Sequence, residues 1–364
     1  SIGEFKSIIP LVDFYLKKNE KNNFLITTVT LSSYNELKKK YGTNKRVYHQ
    51  FLPYDFKFLI NNFFKNWRPN IVSFVDSEIW PNFIFKINQE KIPFVLLNAR
   101  ITKKSFIRWN ILGKLSNEIF KSFSLCISSS KNTSDYLKIL GAQNIKYFGN
   151  IKFCSNVENK TSENEQFKSI LKKKTWCAVS THSNEENFCG KVHNILKKSQ
   201  KEVLTIIIPR HIHRIERIFS ILKDFGFKVQ IKNENDLIDS SADIVLVNYY
   251  GAVSKYLKYF KRIFIGKSMF EKFENNGGQN PIDAAKMGCY IYHGPYVYNF
   301  EEIYKYLDAS KLSEEITSPK DLADKLIKNF NIDLQSNNEK IKQLDIYSKK
   351  IFNSVINEYN EFVK

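Results

Sequence analysis

Short apolar runs alternate with amphipathic stretches almost from the first residue, the pattern expected of βα units on a parallel sheet. In the first half, Phe24–Thr28, Ile71–Val75, Phe94–Asn98 and Leu125–Ser128 predict strands. Helices are predicted around Ile8–Lys18, Tyr34–Lys40, Phe56–Asn66, Pro81–Asn88 and Asn132–Leu140, with Gly42 and Gly141 as C-terminal glycines. Between Cys154 and Lys174 the hydrophobic pattern fails and the residues turn polar, which marks a domain boundary. A second series follows, with strands at Trp176–Val179, Leu204–Ile208, Ile244–Val247, Ile263–Ile265 and Tyr290–Tyr292. Its helices lie near Glu185–Leu196, Arg214–Phe225, Pro281–Met287 and Asn299–Leu307, and Lys340–Phe362 reads as a long amphipathic helix.

The implied architecture is α/β, two doubly wound Rossmann-like domains facing a central cleft that holds the ligand chemistry. The expected divisions are 1–153, a linker at 154–174, a second domain at 175–335 and a C-terminal helix at 336–364. Ser1-Ile2-Gly3-Glu4 opens so close to a helix start that an upstream segment, with the strand that should precede it, is expected to be missing. No internal repeat is visible.

Composition agrees with a globular chain of 364 residues, 43% hydrophobic and 15% aromatic, long enough for two cores. No apolar run approaches the roughly 18 residues of a membrane span, and no signal-peptide pattern opens the chain. Five cysteines, odd in number and without a C-x-x-C pair, indicate neither a zinc site nor a disulfide framework, and fit a reducing compartment. Net charge is +19 and uneven: residues 1–150 carry 23 basic against 10 acidic side chains, a surplus of +13. Such a field favours an anionic partner, and is equally the mark of a solvated, lysine-rich surface. Lys103-Lys104-Ser-Phe106-Ile107-Arg108-Trp109 mixes basic and aromatic residues as interfacial segments do, or forms a helix that turns Phe106 and Trp109 inward.

The strongest local signal is Asn276-Gly277-Gly278-Gln279-Asn280-Pro281-Ile282-Asp283. Gly277 and Gly278 allow close backbone approach to a ligand, Asn280 can cap the next helix, and Pro281 suits its first turn. That helix N-terminus would then face a phosphate. Pro209-Arg210-His211 follows a strand and sets a guanidinium at the carboxyl edge of a parallel sheet, where arginine forks onto phosphate or carboxylate oxygens. His211 and His213, two apart, cannot share a helix face, so His211 reads as a capping or packing residue. Ser180-Thr181-His182 also follows a strand. Its hydroxyls suit a phosphate or sugar, while Ser183-Asn184-Glu185-Glu186 is explained by a helix cap alone.

In the first half, Asp76-Ser77-Glu78-Ile79-Trp80-Pro81 ends one strand, and Asn98-Ala99-Arg100 and Gly149-Asn150-Ile151-Lys152 end two others. Glu78, Arg100 and Lys152 would then surround one cleft, or stand as three unrelated surface charges. Glu4, in a first helical turn, complements the helix dipole or acts as a general base. P-loop, dinucleotide, zincin and D-x-D patterns are all lacking, so neither a metal nor another cofactor is expected.

Taken in order, these segments resemble the bacterial Kdo (3-deoxy-D-manno-octulosonic acid) transferases of lipopolysaccharide synthesis. The resemblance runs from Ser1-Ile-Gly-Glu4 through Ser77-Glu-Ile-Trp-Pro81, Leu97-Asn-Ala-Arg100, Gly149-Asn-Ile-Lys152, Ser180-Thr-His182, Ile208-Pro-Arg-His211, Gly266-Lys-Ser268 and Gly277-Gly-Gln-Asn-Pro281 to Gly294-Pro295 and Asn299-Phe300. It implies a GT-B fold, CMP-Kdo as donor, a lipid A precursor as acceptor, inversion at the anomeric carbon, and peripheral attachment to the anionic cytoplasmic face of the inner membrane. By the same resemblance Glu4 is the catalytic base and Glu78 and Lys152 stabilise charge. CMP is then held by Pro209 and Arg210, by the backbone around Gly251 and Ala252, and by Asn280 to Asp283.

Several positions depart from that pattern. Asn248 and Ala252 replace acidic residues near Gly251, Gln279 replaces a frequent His, and Asp283 replaces a Glu one methylene longer. The family's usual N-terminal anchor is not in the sequence. Two other readings stay open: a related GT-B enzyme such as a nucleotide-sugar epimerase, which would not need Glu4, and a basic nucleic-acid-binding protein, which lacks any helix-turn-helix, zinc or RNP signature.

Overall fold

The computed structural model describes residues 2–155, 167, 170–200, 202–332 and 338–363. It divides into two compact units, Ser1–Asn156 with Ile346–Lys364, and Val157–Asp345. Most of the segment expected to be a linker, and the expected boundary at 335/336, lie outside the described residues.

The first unit runs α1 (Ile2–Lys18), β1 (Phe24–Thr28), α2 (Leu31–Tyr41), β2 (Val47–Phe51), α3 (Lys57–Trp67), β3 (Val72–Val75), α4 (Pro81–Gln89), β4 (Phe94–Ala99), α5 (Lys103–Ile111), α6 (Lys114–Lys121), β5 (Leu125–Ser128), α7 (Lys131–Leu140), β6 (Ile145–Tyr147) and a 3-10 turn, Ile151–Cys154. Strands β3-β4-β5-β6 form one parallel sheet, and β1 pairs in parallel with β2. All six residues of β4 are buried, as a central parallel strand requires. Helix α1 begins at Ile2 rather than near Ile8, with Pro10 inside it. The proline removes one hydrogen bond, and burial of Phe5, Leu11, Val12, Tyr15 and Leu16 on one face carries the helix through. Gly141 closes α7 in the left-handed region, whereas Gly42 stays right-handed with its N–H on Lys38 O.

The second unit runs β7 (Lys174–Thr181), α8 (Glu185–Ser199), β8 (Val203–Pro209), α9 (Ile215–Lys223), β9 (Val229–Lys232), β10 (Ile244–Val247), α10 (Ala252–Tyr259), β11 (Arg262–Ile265), α11 (Ile282–Lys286), β12 (Tyr290–His293), α12 (Glu301–Ala309), β13 (Ser313–Glu315), α13 (Pro319–Phe330) and α14 (Asn338–Asn360). Its seven parallel strands lie in the order β13-β12-β11-β7-β8-β10-β9. The chain winds outward from β7 on one side and returns to β11 on the other, so the carboxyl ends of β7 and β11 form the switch point where doubly wound sheets bind ligands.

Helix α14 belongs to the second unit up to Asp345 and to the first from Ile346. There Tyr359 bonds its hydroxyl to Ser73 Oγ at 2.6 Å, and Ser348 O accepts from Cys154 Sγ at 3.4 Å. Among the described residues no helix is long and apolar enough to cross a membrane.

Candidate active site

In the first unit the carboxyl ends of β3 and β4 meet the turn after β6. Asp76 and Asn98 both adopt positive φ, +61° and +51°, conformations that Asp and Asn tolerate better than most residues. The Asp76 N–H donates to Leu97 O (3.0 Å) and its carbonyl accepts from Arg100 N (2.9 Å), which ties Arg100 to this edge. Lys152 Nζ lies 2.7 Å from Asp76 Oδ2, with the two side chains only 14% and 8% exposed. Asn98 Nδ2 donates to Asp76 Oδ1 (3.2 Å), and Asn98 Oδ1 accepts from Ile151 N (2.9 Å). Asn150 Oδ1 accepts from Lys152 N at 3.0 Å, which fixes the 3-10 turn carrying the lysine.

The carboxylate that pairs with Lys152 is Asp76, two residues before Glu78. Glu78 is half-buried and its Oε2 accepts from Trp80 Nε1 at 2.6 Å. A left-handed turn at Asp76 directs that side chain, two residues before Glu78, to the lysine. Glu4 stands in the first turn of α1, half-buried, and its carbonyl accepts from Ser7 Oγ (2.6 Å). In α5, Phe106 stacks on Tyr136 with centroids 4.4 Å apart and Trp109 meets Phe120 edge-on at 5.5 Å. Those two aromatics turn inward, the second of the two arrangements the sequence allows.

At the switch point of the second unit, Ser180 (φ +56°) is the last residue but one of β7 and Lys267 (φ +61°) follows β11. Between them lies a fully buried carboxylate, Glu185, which accepts from the backbone N–H of His182 (2.8 Å), Lys267 (2.7 Å), Ser268 (2.9 Å) and Met269 (3.2 Å). Burial pushes its carboxyl up from the usual range, and the backbone donors oppose the shift. Next to it Glu186, 1% exposed, receives a bidentate fork from Arg214 (3.0 and 2.9 Å) and the Thr181 hydroxyl (3.0 Å).

Thr181 is fully buried and its hydroxyl is engaged there, so it is not open to a ligand as expected. Arg210 is exposed just past the end of β8, its N–H on Thr181 O (3.0 Å), and its guanidinium has no hydrogen-bond or ion-pair partner among the described residues. Pro209 beside it is buried as the last residue of that strand. His182 has its pKa pushed down to about 4, by burial first and then by its neighbours Lys267, His211, Arg214 and Arg210. His211 caps nothing through its side chain; it is exposed, with its ring 5.4 Å from His182.

The glycine loop differs from its expected role. Gly277 and Gly278 are buried, with their N–H groups on Phe273 O (2.6 Å) and Lys267 O (2.7 Å). A Cβ on Gly277 would stand 2.1 Å from Tyr296 O, so the glycines let two backbone segments touch rather than present N–H groups. Asn280 Oδ1 accepts from Ile282 N (3.1 Å), Pro281 takes the cap position ahead of the helix, and Asp283 lies in the first turn. Helix α11 has only five residues, so its dipole is small. Gly251 (φ +82°) caps α10, and Ala252 is buried, which leaves backbone groups there for a ligand. Among the described residues no three His, Cys, Asp or Glu side chains are grouped as metal ligands.

Residues 1–155 match the family model described as 3-Deoxy-D-manno-octulosonic-acid transferase (kdotransferase). A 3-deoxy-D-manno-octulosonic acid transferase of Rickettsia felis is 30% identical over 331 residues, 90% of this chain and 69% of the relative. The chain belongs to the Kdo transferase family. A probable mitochondrial Kdo transferase of Arabidopsis thaliana is 30% identical over 315 residues, 84% of this chain and 69% of that protein. The crystal structure of a putative UDP-N-acetylglucosamine 2-epimerase from Listeria monocytogenes superposes with a TM-score of 0.64 at 13% identity, over 99% of this chain and 95% of that one. That likeness concerns the fold, which is GT-B. As a Kdo transferase the chain is a glycosyltransferase. Sequence reasoning passed over Asp76, Glu185, Glu186 and Arg214. The available signals were an acid one step past a strand and a Glu pair opening an apolar helix, both explained equally by capping until burial is known.

Proposed function

We propose that this glycosyltransferase moves Kdo from CMP-Kdo to a glucosamine-disaccharide lipid A precursor, with inversion, at the cytoplasmic face of the inner membrane. The observation that carries the donor assignment is the exposed, unpaired Arg210 guanidinium beside the β7/β11 switch point, suited to the single phosphate of CMP. Pro209, Ser180, the backbone at Gly251 and Ala252, and Asn280 to Asp283 complete the donor site by the family resemblance. Cationic side chains then offset the leaving phosphate, and the reaction proceeds without a divalent metal. Glu4 takes the proton from the acceptor hydroxyl, Glu78 and Lys152 stabilise the developing charge, and Arg100 meets the acceptor.

Attachment to an anionic membrane is supported by the +13 surplus of residues 1–150 and by exposed apolar side chains after β1 and β2. Val29, Leu31, Tyr54, Phe56 and Phe58 are each 62–78% exposed. The donor test is thermal stabilisation by CMP without divalent metal, reduced by Arg210→Ala. A shift that needs Mg²⁺, or appears only with UDP, overturns the donor assignment. Co-sedimentation with anionic vesicles is expected to fall at high salt, and equal binding to neutral vesicles refutes the electrostatic part.

A further inference from the structure

A carboxylate removed wholly from water carries a heavy desolvation cost unless its lone pairs are filled. Glu185 meets that demand in an unusual way. It opens α8, where the helix dipole alone would welcome an acid at the surface. Instead it is fully buried, and three of its four donors are the successive N–H groups of Lys267, Ser268 and Met269, 82 to 84 residues further on. Lys267 at φ +61° curls that turn into a nest of convergent N–H groups, and the Glu185 carboxylate is the anion inside it.

The nest turn in turn holds the neighbouring loops. Gly278 N–H donates to Lys267 O (2.7 Å), Tyr296 N–H to Ser268 O (2.9 Å) and Gly294 N–H to Ser268 Oγ (2.9 Å). Gly266, just before the turn, leaves no room: a Cβ there would stand 2.7 Å from Glu185 Oε2, Ser180 O and Thr181 Cα.

We infer that Glu185 is a positioning residue for the donor site: through the nest at 267–269 it sets the placement of the glycine loop and of the segment at 294–296. A helix cap would bond the N-terminal amides of its own helix, whereas this carboxylate spends three of its four bonds on another element. The donor identity rests on the reading above; the coupling of Glu185 to the loops does not.

The test uses the full chain with Glu185→Gln, whose amide turns N–H donors toward N–H donors, and Gly266→Ala, which crowds the carboxylate out of the nest while keeping it. Glu185→Asp is the conservative control and is expected to recover part of the loss. Both disruptive variants should raise KM for CMP-Kdo by about 10- to 100-fold, with acceptor KM unmoved and kcat within about threefold. A merely structural role would lower the folded fraction, hence kcat, with both KM values unchanged, and that result overturns the inference. If the variants do not fold, amide exchange of the wild-type decides: the N–H groups of 267–269, 278, 294 and 296 should share one opening, and independent exchange at 278 overturns it. Should the wild-type fail to bind CMP, the donor reading falls while the exchange measurement still judges the role of Glu185.

Discussion

Replacing Asp76 by Asn removes one charge from a nearly buried pair and leaves the shape and the positive φ intact, since Asn tolerates that conformation. At 2.7 Å and an effective dielectric near 20, the Coulomb attraction is about 6 kcal/mol, most of it offset by desolvation of the two groups. What a single substitution exposes is the charge left behind, and for a pair 8% and 14% exposed we expect a cost of about 3 kcal/mol for Asp76→Asn and about the same for Lys152→Met. The double variant leaves no orphan charge and should cost about 1–2 kcal/mol, so the two changes couple by roughly 4 kcal/mol. Trp67, Trp80 and Trp109 lie in the first unit and Trp176 in the second. Urea unfolding followed by tryptophan fluorescence in a Trp176→Phe background therefore reports on the unit that carries the pair. Single costs below about 1 kcal/mol, or a coupling below about 0.5 kcal/mol, would refute the view of Asp76 and Lys152 as one buried unit.

Arg214→Ala strips two charge-assisted bonds from Glu186, which is 1% exposed, and should destabilise the second unit by about 3–5 kcal/mol by denaturant titration. His193 is fully buried, and burial lowers its pKa to about 4 with Lys197 adding to the shift and Asp243 opposing it. The folded state thus binds fewer protons than the unfolded one below pH 6.5. Stability is complete above that value and is lost as pH falls toward 4, by roughly 2 kcal/mol at pH 5. A His193→Asn variant should lack this component in unfolding curves at pH 7 and pH 5. Gly149→Ala places a side chain at φ +106° and 2.8 Å from Tyr347 Oη, so it should loosen the packing of α14 at Tyr347 and Ile351 and cost the first unit about 2–4 kcal/mol in urea. Glu4→Gln should lower kcat by roughly 10²- to 10⁴-fold with thermal stability nearly unchanged; transfer at more than about a tenth of the wild-type rate removes Glu4 from the mechanism.

The strands richest in apolar residues were legible from the chain alone. β1, β5 and β10 stand as the hydrophobic runs mark them, and β5 and β10 are the clearest because a strand buried on both faces must be largely apolar. β2, whose five residues are all partly or fully exposed, β6 with three residues, and β13 with two glutamates carry no such mark and were missed. The ordered motifs likewise sufficed for the family, since each is a short local pattern. What the sequence left undecided is which groups share one surface: an acid in a first helical turn satisfies the dipole whether it faces solvent, as capping predicts, or lies in a nest formed 82 residues later, as Glu185 does. The same holds for α14, whose apolar face was visible but not its partner. Only the tertiary structure decided that from Ile346 it joins the first unit, because the hydrophobic effect is non-directional and an amphipathic stripe specifies burial without saying against what.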